Sequence, residues 1–453
     1  EAGHCMTGGM KNIFIGKEAG KELTTGGQNV FIGEGIGKNS TVTGFKNFIG
    51  GYYAGLNLSS GNCNVMIGAQ AGGKATSSWH NVFIGTYAGQ GGSNADGHCN
   101  IALGLKSLCK LTSGCDNVTI GSNAGFYNTT GCYNVFLGQK AGYNNQDTNG
   151  SVMIGRCAGE QSLGAMNIYI GYAAGAQMKA GPKNIAIGCY ALTGSSTYNN
   201  NQGGCNIAFG QCSGYYITSG CKNIFIGDEV ANTQCITGYK NVILGNCSAT
   251  KLTTGNENIF IGSYVAHCVQ TATGNVVLGQ RAGKCLSSAQ NIIIGEEAGE
   301  EHTSGNYNVF LGPKAGRYRQ TGQQNIALGD NALRGSTTAA DNTGVQNTAI
   351  GLNAGYNVTS GSCNTLIGRE AGCNITTGCD QVIIGGRSVL SCSPTGNQEL
   401  RIATNGGYQS WIAGDQSGNV CLAGINQSFT IKAMASGTMC ATCFVGCGAG
   451  LTG

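Results

Sequence analysis

Cysteine is the residue type in this chain whose number and spacing most directly suggest chemistry. Of the 453 residues, 23 are Cys. Four pairs stand 16 or 17 residues apart: Cys115 and Cys132, Cys268 and Cys285, Cys205 and Cys221, and Cys363 and Cys379. If the chain coils with that period, matched residues lie about 4.8 Å apart in adjacent turns, within the Cα separation of a disulfide. The spacing predicts turn-to-turn disulfides and an oxidising environment. Free thiols that fill small buried spaces are the alternative.

The other residues that could do chemistry lack the context of a catalytic or metal site. The five His share no metal-ligand spacing, and no Lys-Ser/Thr follows the Gly-rich stretches as a phosphate loop requires. The pairs Glu296-Glu297 and Glu300-Glu301 are interpreted as solvated surface residues. We therefore expect a protein that is not an enzyme and that has no catalytic residues, no metal and no cofactor.

Composition narrows the class of partner. Charged residues make up 10% of the chain and the formal net charge is +4, so no dense basic surface is available for nucleic acid. No apolar run approaches the roughly 18 to 20 residues that span a bilayer. The sequence therefore predicts neither nucleic-acid binding nor a membrane span.

A repeat supplies the elements that would position these residues. An apolar triplet preceded by Asn and followed by Gly, as in Asn12 to Gly16, recurs 22 times, with Ser151 and Gln381 replacing the Asn twice. Of the 21 steps between triplets, 14 are 17 residues long, five are 16, 18 or 19, and two are 22. Seventeen residues are too few for a helical repeat and suit a short strand with tight corners, such as Gly33. We predict an all-β fold, a β-solenoid (β-roll) of about 22 rungs with stacked Asn side chains.

Alternation along each strand decides which residues of a triplet face the inside of the coil. We interpret Val30 and Ile32, the first and third residues, as core and the middle Phe31 as facing outward. The middle position is apolar in nearly every triplet, so this column would form an exposed patch about 100 Å long, which soluble monomers rarely carry. We therefore expect another copy to cover it, in a parallel homotrimer. A single wider coil or lateral packing into a filament is the alternative.

The motif Asn-Val-Phe-Ile-Gly-x-x-Ala-Gly, followed by Thr-Thr-Gly, resembles the head repeats of trimeric autotransporter adhesins and related repeats of bacteriophage tail fibres. The resemblance covers about residues 8–390, and the 17-residue unit is closer to the fibre type. It implies a parallel trimer of left-handed β-rolls. The stretch ELRIATNGGYQSWIAGDQSGNV is similar to segments that precede the self-cleaving chaperone domain of phage fibres.

The chain divides into three predicted parts. Residues 1–11 form an N-terminal cap or attachment segment, residues 12–390 the solenoid shaft, and residues 391–453 a small β-rich C-terminal tip or trimerisation domain. Two long steps insert five residues each, within the stretches LTGSSTYNNNQGG and LRGSTTAADNTG, and the inserted residues must bulge from the shaft. Loops on rigid scaffolds often carry binding residues, although a tolerated insertion explains these equally well. The candidate binding residues, which could contact glycans, are Tyr198, Asn199 and Asn200 in the first insertion and Tyr408 and Trp411 in the tip.

Taken together, these features predict a non-enzymatic structural fibre, specifically a phage-type tail fibre that attaches to a host surface. Its partners would be its own copies, in a homotrimer or filament, and a host-cell surface glycan or protein. Its location would be extracellular or on the virion surface. A secreted or surface-anchored cellular adhesin, or a self-assembling extracellular filament, is the alternative function.

Overall fold

The structure is a computed structural model that describes residues 1–92, 95–195, 201–232, 235–338, 341–386, 395–403, 410–414, 417 and 420–421. These residues contain 25 β-strands and no α-helix. The strands are β1 Ile13–Ile15, β2 Val30–Ile32, β3 Phe48–Gly50, β4 Val65–Ile67, β5 Val82–Ile84, β6 Ile101–Leu103, β7 Val118–Ile120, β8 Val135–Leu137, β9 Val152–Ile154, β10 Ile168–Ile170, β11 Ile185–Ile187, β12 Ile207–Phe209, β13 Ile224–Ile226, β14 Val242–Leu244, β15 Ile259–Ile261, β16 Val276–Leu278, β17 Ile292–Ile294, β18 Val309–Leu311, β19 Ile326–Leu328, β20 Thr348–Ile350, β21 Thr365–Ile367, β22 Val382–Ile384, β23 Leu400–Ala403, β24 Ser410–Gly414 and β25 Val420–Cys421.

The strands β1 to β23 form one parallel sheet in which each strand pairs with the next along the chain. The register matches equivalent repeat positions, so that Phe14 lies opposite Phe31, and Phe31 opposite Ile49. A rung is the stretch from one Asn (or its Ser151 or Gln381 equivalent) to the next, and each rung adds one three-residue strand. The predicted all-β solenoid of about 22 turns with a 17-residue repeat is confirmed.

Both ends of the sheet differ from the regular rungs. At the start, the backbone N–H groups of Gly3, Cys5 and Thr7 donate to carbonyls of the first rung, so these residues stack on it as part of a turn. At the far end, β23 adds one more parallel strand, and β24 and β25 then pair antiparallel. The division of the chain at residues 11 and 390 stays a prediction.

The prediction of which strand residues face the inside of the coil was wrong. The middle residue of each triplet points into the coil, as Phe31 does at 0% exposed, whereas Ile32 is 41% exposed. The Asn that precedes each triplet, hereafter the marker Asn, shows why the predicted faces were exchanged. Its side chain is buried, and because alternate residues of a strand share a face, the residue two positions later must be buried with it. The first and third residues therefore form the outer surface of the sheet.

The Asn side chains form the predicted ladder. In a typical step, the amide Nδ2 of Asn241 donates to Asn223 Oδ1 (3.0 Å) and to the Gly255 carbonyl (2.8 Å). Its own Oδ1 accepts from the backbone N–H and the Nδ2 of Asn258. Every polar atom of the buried amide therefore has a partner, which offsets the free energy that its burial would otherwise cost.

Glycine makes the two corners of a rung possible. Gly33, after the strand, has a φ of 145°, and a Cβ there would collide with the Gly51 carbonyl oxygen of the next rung. Gly26, before the next Asn, would collide in the same way with the carbonyl of Gly44. The rungs stack with backbone against backbone at both corners, so a side chain at Gly26 or Gly33 would require the backbone to shift. Four rungs carry a small residue instead of Gly at the first of these positions: Ser78, Thr148, Ala272 and Ser288.

Candidate functional site

A long apolar face is formed by the first and third residues of β1 to β22, in which Gly50, Thr348 and Thr365 are the members without an apolar side chain. These side chains lie on the side of the sheet that faces away from the coil. The most exposed members are Ile13, Ile15, Ile32, Phe48, Ile67, Ile84, Ile101, Ile120, Ile187, Phe209, Ile259, Ile261, Ile292, Ile294, Ile326 and Ile350. Two columns about 7 Å apart, repeated every ~4.8 Å over 22 strands, form a strip on the order of 1,000 Å². That exceeds the roughly 300 to 600 Å² of the largest patch on a typical monomer.

The sequence-predicted binding residues cannot be placed within this geometry. Tyr198, Asn199, Asn200 and Tyr408 lie outside the described residues, and Trp411 is described only as part of the backbone of β24. The inserted loops are described only at their bases.

Those two bases are built alike. In the first, Asn201 is buried, its Nδ2 donates to the Ser195 carbonyl (2.7 Å), and its Oδ1 accepts from the Ser195 N–H. In the second, Asn342 makes the same two bonds to Ser336, at 2.6 and 2.9 Å. A Ser followed six residues later by Asn is the sequence signal for this closure, and sequence analysis missed it. One buried Asn therefore closes each loop at its point of departure from the shaft.

An Arg between two Tyr rings flanks the second insertion. The Arg334 guanidinium carbon lies 4.8 Å from the ring centre of Tyr318 and 5.1 Å from that of Tyr356. Its Nη1 donates to the Tyr356 hydroxyl at 2.7 Å. Cation–π contacts of this kind hold aromatic faces in fixed positions at a surface. The three residues come from three consecutive rungs, so their proximity depends on the insertion not disturbing the stacking.

Two of the four predicted cysteine pairs are in contact. The Sγ atoms of Cys115 and Cys132 lie 2.6 Å apart, and Cys285 interacts directly with Cys268 in the adjacent rung. Burial, and next the neighbouring Cys132, raise the pKa of Cys115 to about 12, and burial also raises the pKa of Cys285. Both thiols are therefore protonated at neutral pH and poor nucleophiles.

The other two pairs do not share a column. Cys205 and Cys363 stand immediately before the marker Asn, in a left-handed conformation (φ 60° and 59°), whereas Cys221 and Cys379 stand one position earlier. Cys363 donates to Gln346, and Cys379 accepts from the N–H of Ser362. All 18 cysteines whose side chains are described are free thiols, and oxidation of any pair stays a prediction.

Two of the Glu residues that were predicted to be solvated, Glu297 and Glu300, belong instead to an ion-pair network. Arg317 bonds both Glu297 and Glu300 at 2.9 Å, and Arg281 contacts the same two carboxylates. Glu300 is only 3% exposed. Arg281 and Glu297 occupy one repeat position in adjacent rungs, and Glu300 and Arg317 another. Opposite charges at the same repeat position of adjacent rungs could therefore have predicted this ion-pair network from the sequence.

None of the described residues belongs to a helix that is long and apolar enough to cross a membrane. Comparisons of the chain with protein-family models, with curated proteins and with solved structures find no match.

Proposed function

We propose that this chain is a non-enzymatic structural fibre that assembles as a parallel homotrimer, and that it acts as a phage-type tail fibre attaching to a host surface. The observation that carries the proposal is the apolar face, a continuous exposed strip along the whole shaft. Ile259 and Ile261 in β15, and Ile292 and Ile294 in β17, are each 37 to 42% exposed. Covering such a strip would be strongly favourable, at roughly 25 cal/mol per Å² of apolar surface.

A second copy of the same chain is the partner that fits this face best. The strip repeats every rung, so only another solenoid with the same rise matches it over its full length. Each chain has one such face, and three flat faces can meet around a common axis without leaving any of them exposed. The proposed trimer therefore keeps the predicted stoichiometry but uses a different interface. Its copies meet through the first and third residues of the strands, because the Phe column that was predicted to be covered by partners is the core of the coil.

The ends of the shaft favour discrete fibres over open filaments. Parallel stacking of one chain on the next would need a free parallel edge at both ends of the sheet. The last parallel strand, β23, is instead paired with antiparallel β24, which covers that edge. Covered edges are a common way to stop unlimited strand addition.

Attachment would be the task of the parts that leave the regular shaft. The two insertions are closed at their bases by Asn201 and Asn342, which fixes where each loop departs. The half-buried Tyr318 and Tyr356 beside the second loop are held by Arg334, and such residues present an apolar ring edge next to hydroxyl and guanidinium groups that can hydrogen-bond a sugar. A host-surface glycan is therefore the ligand class that we propose.

Light scattering tests the assembly. We expect a molar mass near three times 46.2 kDa, with or without reductant. Replacing Ile261 and Ile294 by Asp should lower the mass to that of a monomer, because it places charges on the apolar face. The matched control is Lys251→Glu, an exposed change away from the sheet. A monomeric wild type, or a trimer that survives the Asp changes, would refute this interface. Electron micrographs with long filaments would favour the alternative of a self-assembling filament.

Binding to immobilised bacterial surface polysaccharides tests attachment. We expect the trimer to bind at least one polysaccharide of a broad panel, and deletion of residues 196–200 or 336–340 to weaken that binding at least tenfold. Each deletion restores the 17-residue step, so the shaft should remain trimeric. Binding that neither deletion alters would argue against the loops, and no binding to any polysaccharide would contradict the glycan proposal.

A further inference from the structure

Three consecutive rungs place potential metal ligands side by side in one column. His98, Cys115 and Cys132 occupy the same repeat position, two residues before the marker Asn, and Asp116 directly follows Cys115. The donor atoms of His98, Cys115 and Asp116 lie within 4.8 Å of one another. Cys132 Sγ lies 2.6 Å from Cys115 Sγ. One imidazole nitrogen, one sulfur and one carboxylate oxygen therefore converge, and the Cys132 sulfur lies against the Cys115 sulfur on one side of them.

The imidazole of His98 is held in place but leaves a nitrogen without a partner. Its ring stacks on Trp79, with ring centres 4.3 Å apart and planes 9° from parallel. Its backbone carbonyl accepts from the Asp116 N–H at 3.1 Å, which fixes the two residues relative to each other. Nδ1 is buried and has no hydrogen-bond partner among the described residues. An unpaired buried nitrogen costs free energy that a bound cation would recover.

We propose that His98, Cys115, Cys132 and Asp116 form a binding site for one zinc ion, which ties three successive rungs together. Two thiolates, an imidazole and a carboxylate are a donor set that zinc binds in tetrahedral geometry. In such a site the donors lie about 3.4 to 3.8 Å apart. The donors of His98, Cys115 and Asp116 need shifts of about 1 Å to reach these separations. Rotation of the Cys132 side chain would have to move its Sγ away from Cys115 Sγ and toward the other two donors. Each thiol that binds releases its proton, so zinc replaces two protons on the sulfurs.

The chain contains its own control for the cysteine pair. Cys268 and Cys285 also stack in adjacent rungs, but their surroundings include Lys284 and Glu301. No His occurs in a cluster of metal-binding side chains with them among the described residues. A pair of stacked thiols alone would give both sites the same affinity for metal. The proposal instead assigns strong binding to the column that contains His98.

Metal titration of the reduced full-length protein tests the site. After reduction and chelation, wild-type protein should bind one more zinc ion per chain than Cys115→Ser/Cys132→Ser, measured by elemental analysis. Cys268→Ser/Cys285→Ser should bind as much as wild type. With cobalt as the probe, the thiolate-to-metal absorption of this site should be lost only in the first variant. Equal metal content in wild type and Cys115→Ser/Cys132→Ser would overturn the proposal, as would a Cys115–Cys132 disulfide that persists in reductant.

His98→Asn gives a second test that does not remove a cysteine. Asn occurs naturally at this repeat position, as at Asn62 and Asn149, where it accepts a backbone N–H of the preceding rung. The variant should therefore fold as wild type does, and its zinc affinity should fall at least tenfold. Unchanged zinc affinity in His98→Asn would exclude His98 as a ligand and refute the proposed site. This test does not depend on whether Cys115→Ser/Cys132→Ser folds.

Discussion

The interior of this solenoid is not uniformly apolar, and among the described residues it includes the basic side chains of His302 and Arg319. His302 and Arg319 are both 0% exposed and stand in adjacent rungs at a position where Leu58 and Leu252 stand elsewhere. Arg319 Nη1 donates to the Val358 carbonyl at 3.0 Å, and Nη2 donates to the Gly344 carbonyl. Its side chain thus reaches across the rung that carries the second insertion. Burial lowers its pKa to about 10, so it remains charged at neutral pH.

The Asn ladder predicts large local effects from single substitutions. Asn241→Ala would remove the oxygen that accepts hydrogen bonds from the backbone N–H and the Nδ2 of Asn258. It would also remove the Nδ2 that donates to the Gly255 carbonyl. We expect a loss of roughly 2 to 4 kcal/mol in local stability, measured by amide hydrogen exchange in the rungs around β14. Asn241→Ser should cost less, because Ser151 occupies the column naturally and still accepts from Asn167 N–H. Equal protection in the Ala variant and in wild type would mean that the ladder contributes little.

His302 makes stability depend on pH. Burial lowers its pKa below the usual 6.5, although the carbonyl contacts of both ring nitrogens favour the charged ring. Below that pH the unfolded chain binds the proton more readily than the folded chain, so the free energy of unfolding should decrease as pH falls through about 6. We expect thermal melts of His302→Leu to show a shallower loss between pH 7 and 5, whereas the exposed His80→Asn keeps the wild-type slope. Parallel slopes for all three proteins would rule out His302 as the cause.

At the scale of elements, each insertion depends on a single buried side chain. Asn342→Ala would remove the bonds to Ser336 and the longer one to the Thr338 carbonyl. We expect the loop to open more often, with about tenfold faster proteolysis between residues 336 and 344. Thr343→Ala, an exposed change in the same loop, should cleave at the wild-type rate. Cleavage that is equally fast in both variants would show that Asn342 does not close the loop.

Much of the element structure could be predicted from the sequence. The Asn spacing determined the number, register and parallel pairing of β1 to β22, because 17 residues close one turn. Which face was buried could also have been read from Asn29 and Phe31, which are two residues apart and share a face. The apolar character of both faces hid this, because the first and third residues of the strands are as apolar as the middle ones. The sites were less predictable, because oxidation, metal loading and ligand identity are not encoded in spacing alone.

On the scale of the whole molecule, the shaft behaves as a chain of nearest neighbours. Each rung contacts mainly the rung before and the rung after, so stability is a sum of local terms. Deleting residues 241–257 would join two rungs in the correct register and bring Phe225 next to Phe260. The same kind of ring neighbours already occurs at Phe14 and Phe31, with centres 5.5 Å apart.

We therefore expect the chain lacking residues 241–257 to fold and to melt within a few degrees of wild type, followed by circular dichroism. Deleting only residues 241–248 should instead abolish cooperative melting or lower the midpoint strongly, because half a turn breaks the Asn column and both corners. Similar melts for the two deletions would contradict a register set by the repeat.

The residue before each marker Asn lies on the surface of the solenoid. Gln28 and Gln346 are both exposed there, in left-handed conformation with φ of 60° and 58°. Across the shaft the same position carries Lys, Gln, Glu, Asp, Tyr, Met, His and Cys, so the fold places little demand on its chemistry. With a rise of about 4.8 Å per rung, the 18 steps from Gln28 to Gln346 correspond to about 85 Å. The number of rungs between two such residues therefore gives the distance between their side chains, and the position tolerates most residue types except the β-branched ones, which its left-handed backbone disfavours.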